Sequence, residues 1–255
     1  MDFKVTKKEN IFTLTLIVIG VLFTAIGIAT HAGDDNFITR FLANSLINSL
    51  FFFGIGLGAL FFLALQYATE TGWYVAVKRV MEALTGYIPY GIAFLVLVFI
   101  ALTITDGAHI YTWMDPEVVA HDSIIQMKSS YLNKGFFWFR TIVYLGVYFW
   151  YWYGFRKRSL QEDIEGGTEI HFKNYKKGAV FLVFFAVFSS TSSWDWIMSI
   201  DVHWFSTLFG WYTFAGIWCS SMTVLVMLTV YLKKQGYLPK VNDHHIHDIG
   251  KWTFA

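Results

Sequence analysis

The chain contains very little cysteine, proline and charge. Its 255 residues include one cysteine, Cys219, and three prolines. A single thiol excludes an internal disulfide, a Cys-x-x-Cys redox pair and an iron–sulfur cluster ligated by this chain alone. Charged residues make up only 15% of the sequence and the formal net charge is +1, so no solvated basic face exists to hold nucleic-acid phosphates. Nucleic acid is therefore not an expected partner.

Long apolar runs dominate the rest of the sequence. Hydrophobic residues account for 56% of the chain and aromatic residues for 20%, and the mean hydropathy is +0.49. Each run has about 19 residues or more, enough for a helix to cross a hydrocarbon core of roughly 30 Å. The sequence therefore predicts an all-α polytopic membrane protein whose first partner is the lipid bilayer. The six runs are Ile11–Ala29, Asn44–Tyr67, Leu84–Ile104, Phe136–Phe155, Gly178–Ile200 and Phe205–Leu232.

Lysine and arginine alternate between the connections of these runs. Only Arg40, Lys128 and Lys134 fall in one set of connections, while the N-terminus, the second and fourth connections and the C-terminal segment hold nearly all the others. Because basic residues favour the cytoplasmic side, this alternation predicts a cytoplasmic N-terminus. The larger set is Lys4, Lys7, Lys8, Lys78, Arg79, Arg156, Lys157, Arg158, Lys173, Lys176, Lys177, Lys233, Lys234, Lys240 and Lys251.

The runs suggest three parts along the chain. We expect a flanking transmembrane helix in 1–30 and a four-helix transmembrane bundle in 41–200. An outer-side loop, 106–135, carries turn signals around a short apolar stretch and is expected to hold a surface helix. Residues 201–255 would supply the first helix of a second bundle and a cytoplasmic loop. The final residues, from Gly250 onward, resemble the start of a seventh span, so the chain is expected to be a fragment.

Few ionisable residues fall inside the runs, and Asp195 is the most informative. A carboxylate within a lipid-embedded helix costs at least roughly 2.5 kcal/mol, so it normally faces the bundle or a wet cavity. Thr191, Ser192 and Ser199 lie at i−4, i−3 and i+4, which predicts that they share its helical face. Arg140, near the start of the fourth run, lies on the same predicted side of the membrane.

Two interpretations of this outer-side group remain open, and both can hold together. Asp195 and Arg140 could form a structural buried ion pair. Alternatively, Asp195 accepts or relays a proton, Arg140 holds its charge, and His109 and His203 connect the site to outer water, because carboxylates and imidazoles are the groups that move protons.

No metal or cofactor is expected on this chain. His109 and His203 both lie at the outer rim, whereas a transmembrane b-type haem needs facing histidines at membrane depth. The tract Asp243–Asp248 contains three histidines, but its spacing fits no standard zinc pattern. On the inner side, Thr71–Glu82 is predicted to hold a short amphipathic interfacial helix whose basic residues, Lys78 and Arg79, meet anionic lipid, and Arg156–Lys177 is predicted to be a solvated turn.

Several short stretches carry a resemblance to a known family. They resemble the polysulfide-reductase membrane-subunit (NrfD-like) superfamily and, within it, the smaller of the two such subunits of alternative complex III, a bacterial quinol:cytochrome c oxidoreductase. The likeness covers essentially the whole chain. The stretches are Gly72-Trp73, Lys78-Arg79 with Glu82, Ser193-Trp194-Asp195-Trp196 with Asp201-Val202-His203-Trp204, and Asp248-Ile249-Gly250-Lys251.

This resemblance implies more than the residues indicate by themselves. Family members have two four-helix bundles plus flanking helices, carry no redox centre of their own, and bind quinol or menaquinol near the outer face of the bacterial inner membrane. The implied partners are a homologous NrfD-like membrane subunit, an iron–sulfur subunit and multihaem cytochrome c subunits, which hold the iron–sulfur clusters and haem c. A terminal cytochrome oxidase is a further candidate partner.

Two other functions remain as alternatives. A proton-coupled transporter would be expected to have inverted repeats and helix breaks at the midplane. Only Pro89 interrupts a run, close to its inner end. A non-catalytic membrane scaffold would be expected to lack ionisable groups inside its spans, and Asp195 argues against that function.

Overall fold

A computed structural model describes residues 6–254 of the protein. These residues form ten α-helices and contain no strand, which confirms the predicted all-α class. Lys4 of the basic N-terminal group lies outside the described residues. Ala255, at the end of the expected seventh span, lies outside them as well. The helices are α1 (Lys7–His31), α2 (Phe37–Ala68), α3 (Lys78–Thr85), α4 (Ile88–Ile104), α5 (Pro116–His121), α6 (Ser123–Lys128), α7 (Lys134–Glu165), α8 (Glu169–Trp196), α9 (Phe209–Lys234) and α10 (Asp243–Trp252).

Five helical segments are long and apolar enough to cross a membrane, so the chain is a multi-pass membrane protein. The predicted run Phe136–Phe155 lies in α7, whose 32 residues would extend roughly 48 Å. This helix is long enough to cross a membrane but is less apolar than the five segments, because it is rich in tyrosine and tryptophan and is charged over its last turns. That α7 crosses the membrane therefore stays a prediction. The five segments are Lys7–His31, Phe37–Ala68, Lys78–Ile104, Glu169–Ile200 and Phe209–Lys234.

Helix α2 is the centre of the bundle and packs against α3, α4, α8 and α9, while α7 packs against α8 and α4. Close approach of α9 depends on a glycine: a Cβ at Gly58 would lie 2.9 Å from Cβ of Ser221, whose hydroxyl donates to the carbonyl of Ile55 at 2.9 Å. Helix α1 has no buried residue. Helix α9 packs on α2 and α8, so it contacts the same helices that form the expected four-helix bundle. The expected boundary at residue 201 between two bundles stays a prediction.

The prediction of a solvated turn over Arg156–Lys177 is wrong, because most of this segment is helical. Helix α7 continues to Glu165 and α8 begins at Glu169, so only 166–168 connect them. Gly166 and Gly167 adopt positive φ values of 66° and 76°, which glycine tolerates without strain. The charged residues remain helical because α7 finds ionic partners on α3, for example Lys78 with Glu162 at 2.7 Å.

The loop over 106–135 does contain surface helices, as predicted, but as two short pieces rather than one. Asp122 separates α5 from α6 because its backbone is extended, with φ −113° and ψ 108°. Its carboxylate accepts from the N–H groups of Ile124 and Ile125 at 2.9 and 3.1 Å and caps α6. We call the side of the bundle with 106–135 the loop side and the side with 166–168 the turn side.

Candidate functional site

Arg140 and Asp195 form a two-point ion pair between α7 and α8. Arg140 Nε lies 2.7 Å from Asp195 Oδ2, and Arg140 Nη2 lies 2.8 Å from Asp195 Oδ1. Asp195 is fully buried and Arg140 is only 7% exposed. This fork-to-fork geometry is the strongest form of ion pair and stabilises both charged groups in a buried position.

Aromatic residues complete the surroundings of the pair. Tyr144 Oη donates to Asp195 Oδ2 at 3.2 Å, and Arg140 Nη1 donates to the Tyr131 carbonyl at 3.1 Å. The guanidinium also lies over the rings of Tyr131 and Phe136, with centroid distances of 3.9 and 4.2 Å. Both carboxylate oxygens and the cationic face are therefore in contact with protein groups.

The predicted hydroxyl-bearing face beside Asp195 is found only in part: Thr191 and Ser192 lie with Asp195 on α8, at i−4 and i−3, whereas Ser199 lies beyond the helix. Helix α8 ends at Trp196, so Ser199 does not continue its face; its hydroxyl donates instead to the Asp195 backbone carbonyl at 2.6 Å. Thr191 and Ser192 donate to the carbonyls of Val187 and Ser189 in their own helix. Short hydroxyl side chains form such backbone hydrogen bonds readily, so they do not reach the carboxylate.

The two predicted histidines do not join the pair. His109 is exposed, has a left-handed φ of 59°, and makes no hydrogen bond within the described residues. His203 Nε2 lies 2.9 Å from Asp122 Oδ2, and its side chain is 55% exposed. The pKa of Asp122 is lowered, chiefly by the Ile125 backbone N–H and then by the Ile124 N–H and His203. Of the four predicted site residues, the structure brings together only Asp195 and Arg140.

A cavity of about 450 Å³ lies beside the ion pair on the loop side. Tyr131 and Ser199, which contact the pair through their hydrogen bonds, also line this cavity. The indole Nε1 of Trp194 is buried without a hydrogen-bond partner. The other lining residues are Met127, Lys128, Ser130, Leu132, Met198, Asp201, Val202, Trp204 and Phe205.

Sequence reasoning missed Tyr131, Tyr144 and the unpaired donor of Trp194. Tyr144 lies four residues after Arg140, so helical spacing could have placed it next to the arginine. Tyr131 is in the irregular loop, and no local pattern relates it to α7 or α8. Burial raises the pKa of Tyr131, and the charge of Asp195 adds to this effect. The phenol is therefore neutral at physiological pH.

A second buried charge network lies on the turn side. Glu82 is buried and accepts from Arg79, from the Ser159 hydroxyl and from Arg156 Nη1 at 2.6 Å. Arg79 also pairs with Asp163 on α7. Carboxylates of α3 and α7 pair with both Lys78 and Arg79, and the predicted contact of these two cations with anionic lipid stays a prediction.

Within residues 6–254, no group of three or more histidine, cysteine, aspartate or glutamate side chains is arranged to hold a metal ion. Comparison with known proteins gives no assignment, since no protein-family model and no curated protein matches the chain. Any function must therefore be argued from the site itself.

Proposed function

We propose that this chain is an integral membrane subunit of a respiratory quinol:cytochrome c oxidoreductase of the alternative complex III type. Its loop-side site would bind quinol or menaquinol and handle the protons released on oxidation. The proposal rests on the resemblance of the short stretches around Trp194 and Asp195, and on the chemistry of the cavity beside them.

One observation carries the site assignment. A cavity lined in part by aromatic and methionine side chains adjoins a buried ion pair, and one of its lining residues, Trp194, has a buried Nε1–H donor that no protein group accepts. A buried unpaired donor is costly unless a ligand or water completes it. A quinone ring is flat and apolar and has carbonyl oxygens at its edge, so it fits both the lining and the spare donor.

The proposed reaction is the two-electron oxidation of a quinol. Quinol loses two electrons and two protons and becomes quinone. The electrons would pass to iron–sulfur clusters and haem c in partner subunits, and the protons would leave toward the loop side. Asp195 is held on both oxygens by Arg140, so its role in this arrangement is to fix the charge of the site and to orient Tyr144 and Arg140.

The remaining partners and the location are part of the same proposal. A homologous NrfD-like membrane subunit, an iron–sulfur subunit and multihaem cytochromes c would surround the chain in the bacterial inner membrane, with the N-terminus cytoplasmic. Such an arrangement gives the chain no redox centre of its own and places the loop side toward the cytochromes.

The cavity assignment can be tested in the purified complex with an azido-quinone photolabel. Label should attach to peptides 127–132 and 194–205, and Trp194→Phe should weaken labelling about tenfold, because one buried hydrogen bond is worth roughly 1.4 kcal/mol. Trp211→Phe is the matched control, because this tryptophan is exposed on α9 and does not line the cavity. Equal labelling of both variants would reject a quinone in this cavity.

A specific observation favours a second function, that of a membrane scaffold. Every charged atom of the ion pair already has a protein partner, as a purely structural pair requires. Quinol-dependent cytochrome c reduction separates the two functions. A scaffold predicts that Trp194→Phe leaves turnover and KM unchanged, whereas a quinol site predicts a higher KM.

A further inference from the structure

Arg158 on α7 makes a hydrogen bond to one side chain of α8, that of Asn174, at the turn side. Its Nε donates to Asn174 Oδ1 at 2.6 Å. The guanidinium folds back along α7 over Gly154, where a Cβ would lie 3.0 Å from Nη1. This position leaves Nη1 and Nη2 at the seam between the two helices, without a hydrogen-bond partner among the described residues.

Arg158 has no carboxylate partner in the described chain, unlike three other cations at the turn side. Lys78, Arg79 and Arg156 each pair with an acidic side chain of α3 or α7. The titratable groups that interact with Arg158 are Tyr67 and Tyr151, which are both neutral phenols. The positive charge of Arg158 is therefore uncompensated within residues 6–254.

Asn174 supplies a second unused donor at the same seam. The residue is fully buried, and its Oδ1 is occupied by Arg158, but its Nδ2 has no hydrogen-bond partner. The two atoms belong to one amide group, so Nδ2 lies within a few ångströms of the guanidinium. Because buried polar groups are almost always paired, this amide indicates a missing acceptor.

A second cation lies on the seam one helical turn away. Lys177 follows Asn174 by three residues and has its Nζ 5.6 Å from the centroid of the Trp150 ring. This contact places the Lys177 ammonium group against α7 one helical turn before Gly154, the residue over which the Arg158 guanidinium lies. No carboxylate pairs with Lys177 in the described part of the chain.

We propose that the α7–α8 seam binds the phosphate of an anionic phospholipid through Arg158, Asn174 and Lys177. Two cations without carboxylate partners and one unpaired amide N–H match an anion with several acceptor oxygens, and a phosphate group has this chemistry. The surface beside the seam favours a lipid over a free ion. Trp150 and Tyr153 are exposed there, as aromatic residues are at membrane interfaces, and basic pockets between transmembrane helices hold acidic headgroups.

Lipid binding can be measured by native mass spectrometry of the full protein, purified in mild detergent with its native partners. Phosphatidylglycerol should bind at least about tenfold more tightly than phosphatidylcholine, because only the former leaves a net negative headgroup. Arg158→Gln combined with Lys177→Gln should remove this preference. The matched control is Lys157→Gln combined with Lys176→Gln, which removes the same charge from adjacent exposed positions and should leave the preference intact.

A variant that preserves folding sharpens the test. Asn174→Asp replaces the unpaired donor with an oxygen and gives Arg158 a carboxylate, so the seam should stay assembled while phosphatidylglycerol binding falls at least about tenfold. Loss of binding in both seam variants, with the control unchanged, supports the proposal. Equal binding of the two lipids, retained binding in Asn174→Asp, or displacement of the lipid by millimolar inorganic phosphate alone would each overturn a specific lipid site.

Discussion

Arg140 and Asp195 lie 55 residues apart in the chain, and both oxygens of the carboxylate meet the same guanidinium. This pair joins α7 to the last turn of α8. It also connects them to the loop side, because Arg140 donates to the Tyr131 carbonyl. Tyr111 adds a further connection, since its hydroxyl donates to the Trp196 carbonyl at 2.6 Å. The pair therefore stabilises the part of the fold that borders the proposed quinol cavity.

Removing one member of this pair should destabilise the protein more than removing both. Asp195→Asn leaves a buried guanidinium without its anion, so the expected loss is about 3–5 kcal/mol. Arg140→Gln combined with Asp195→Asn removes both charges and should recover much of that loss. Thermal unfolding followed by fluorescence-detected size-exclusion chromatography gives the comparison. If the double variant were as unstable as Asp195→Asn, the pair would not be the source of the effect.

Glu82 should be the most sensitive position of the turn-side network. Its side chain is 2% exposed and meets two arginines that are each about two-fifths exposed, so solvent screens part of the attraction. Glu82→Gln should cost about 1–3 kcal/mol, mainly through unsatisfied buried groups.

Asp163→Asn is the control for Glu82→Gln. Asp163 also pairs with Arg79, but its side chain is 57% exposed. Its replacement should change stability by no more than about 0.5 kcal/mol. Chemical denaturation of both variants, or their melting temperatures in one detergent, measures the difference. Equal losses would mean that burial does not determine the strength of this network.

The sequence predicted the helices well because hydrophobic length is a local property. Five of the six apolar runs lie in helices that are long and apolar enough to cross a membrane. Boundaries were less accurate: α2 begins at Phe37, seven residues before the predicted start at Asn44. The polar residues of this first part of α2 interrupt the apolar run but form helix equally well.

The pairing of charges could be predicted only in part. Asp195 and Arg140 were recognised as partners because each is a rare charge inside an apolar run. Glu82 and Arg156 are 74 residues apart and lie in strongly charged segments, where every residue has several possible partners. Composition therefore indicated a solvated segment where the structure has part of a buried network. The relation of Tyr131 to Arg140 depends on an irregular loop, which has no periodic pattern.

A glycine on α8 should control its distance from α2. A Cβ at Gly178 would lie 2.8 Å from the Ala64 carbonyl oxygen, which is backbone and cannot move aside alone. Gly178→Ala should therefore cost about 1–3 kcal/mol through overpacking. Gly146→Ala is the control, since a methyl group added there would have no atom within 4 Å and alanine favours helix. A loss at Gly146 equal to that at Gly178 would contradict this packing argument.

The α5–α6 region should loosen at acid pH because of Asp122. The pKa of this carboxyl is lowered below its ordinary value of 3.8, first by the Ile125 N–H and then by the Ile124 N–H and His203. A lowered pKa means that the stabilisation is present above 3.8 and is lost as pH falls through the folded-state pKa. The protection factors of the Ile124 and Ile125 amides, which correct the exchange rate for its intrinsic dependence on pH, should fall in that window. Asp122→Asn keeps a capping oxygen and should abolish this fall; a fall that persists in that variant would exclude Asp122 as its cause.

The predicted orientation can be tested by labelling single cysteines from one side of the membrane. Cys219 is exposed and must first be replaced by serine, so that each variant carries one thiol. Ser123→Cys on α6 and Thr168→Cys at the turn between α7 and α8 are both at exposed positions, and neither residue lines the proposed cavity. If lysine and arginine set the orientation, an impermeant maleimide should label Ser123→Cys in intact spheroplasts and Thr168→Cys only after lysis. The reverse pattern would place the loop side in the cytoplasm. The proposed delivery of electrons from the Trp194 cavity to external cytochromes c would then be excluded, whereas the contacts of the Arg140–Asp195 pair would be unaffected.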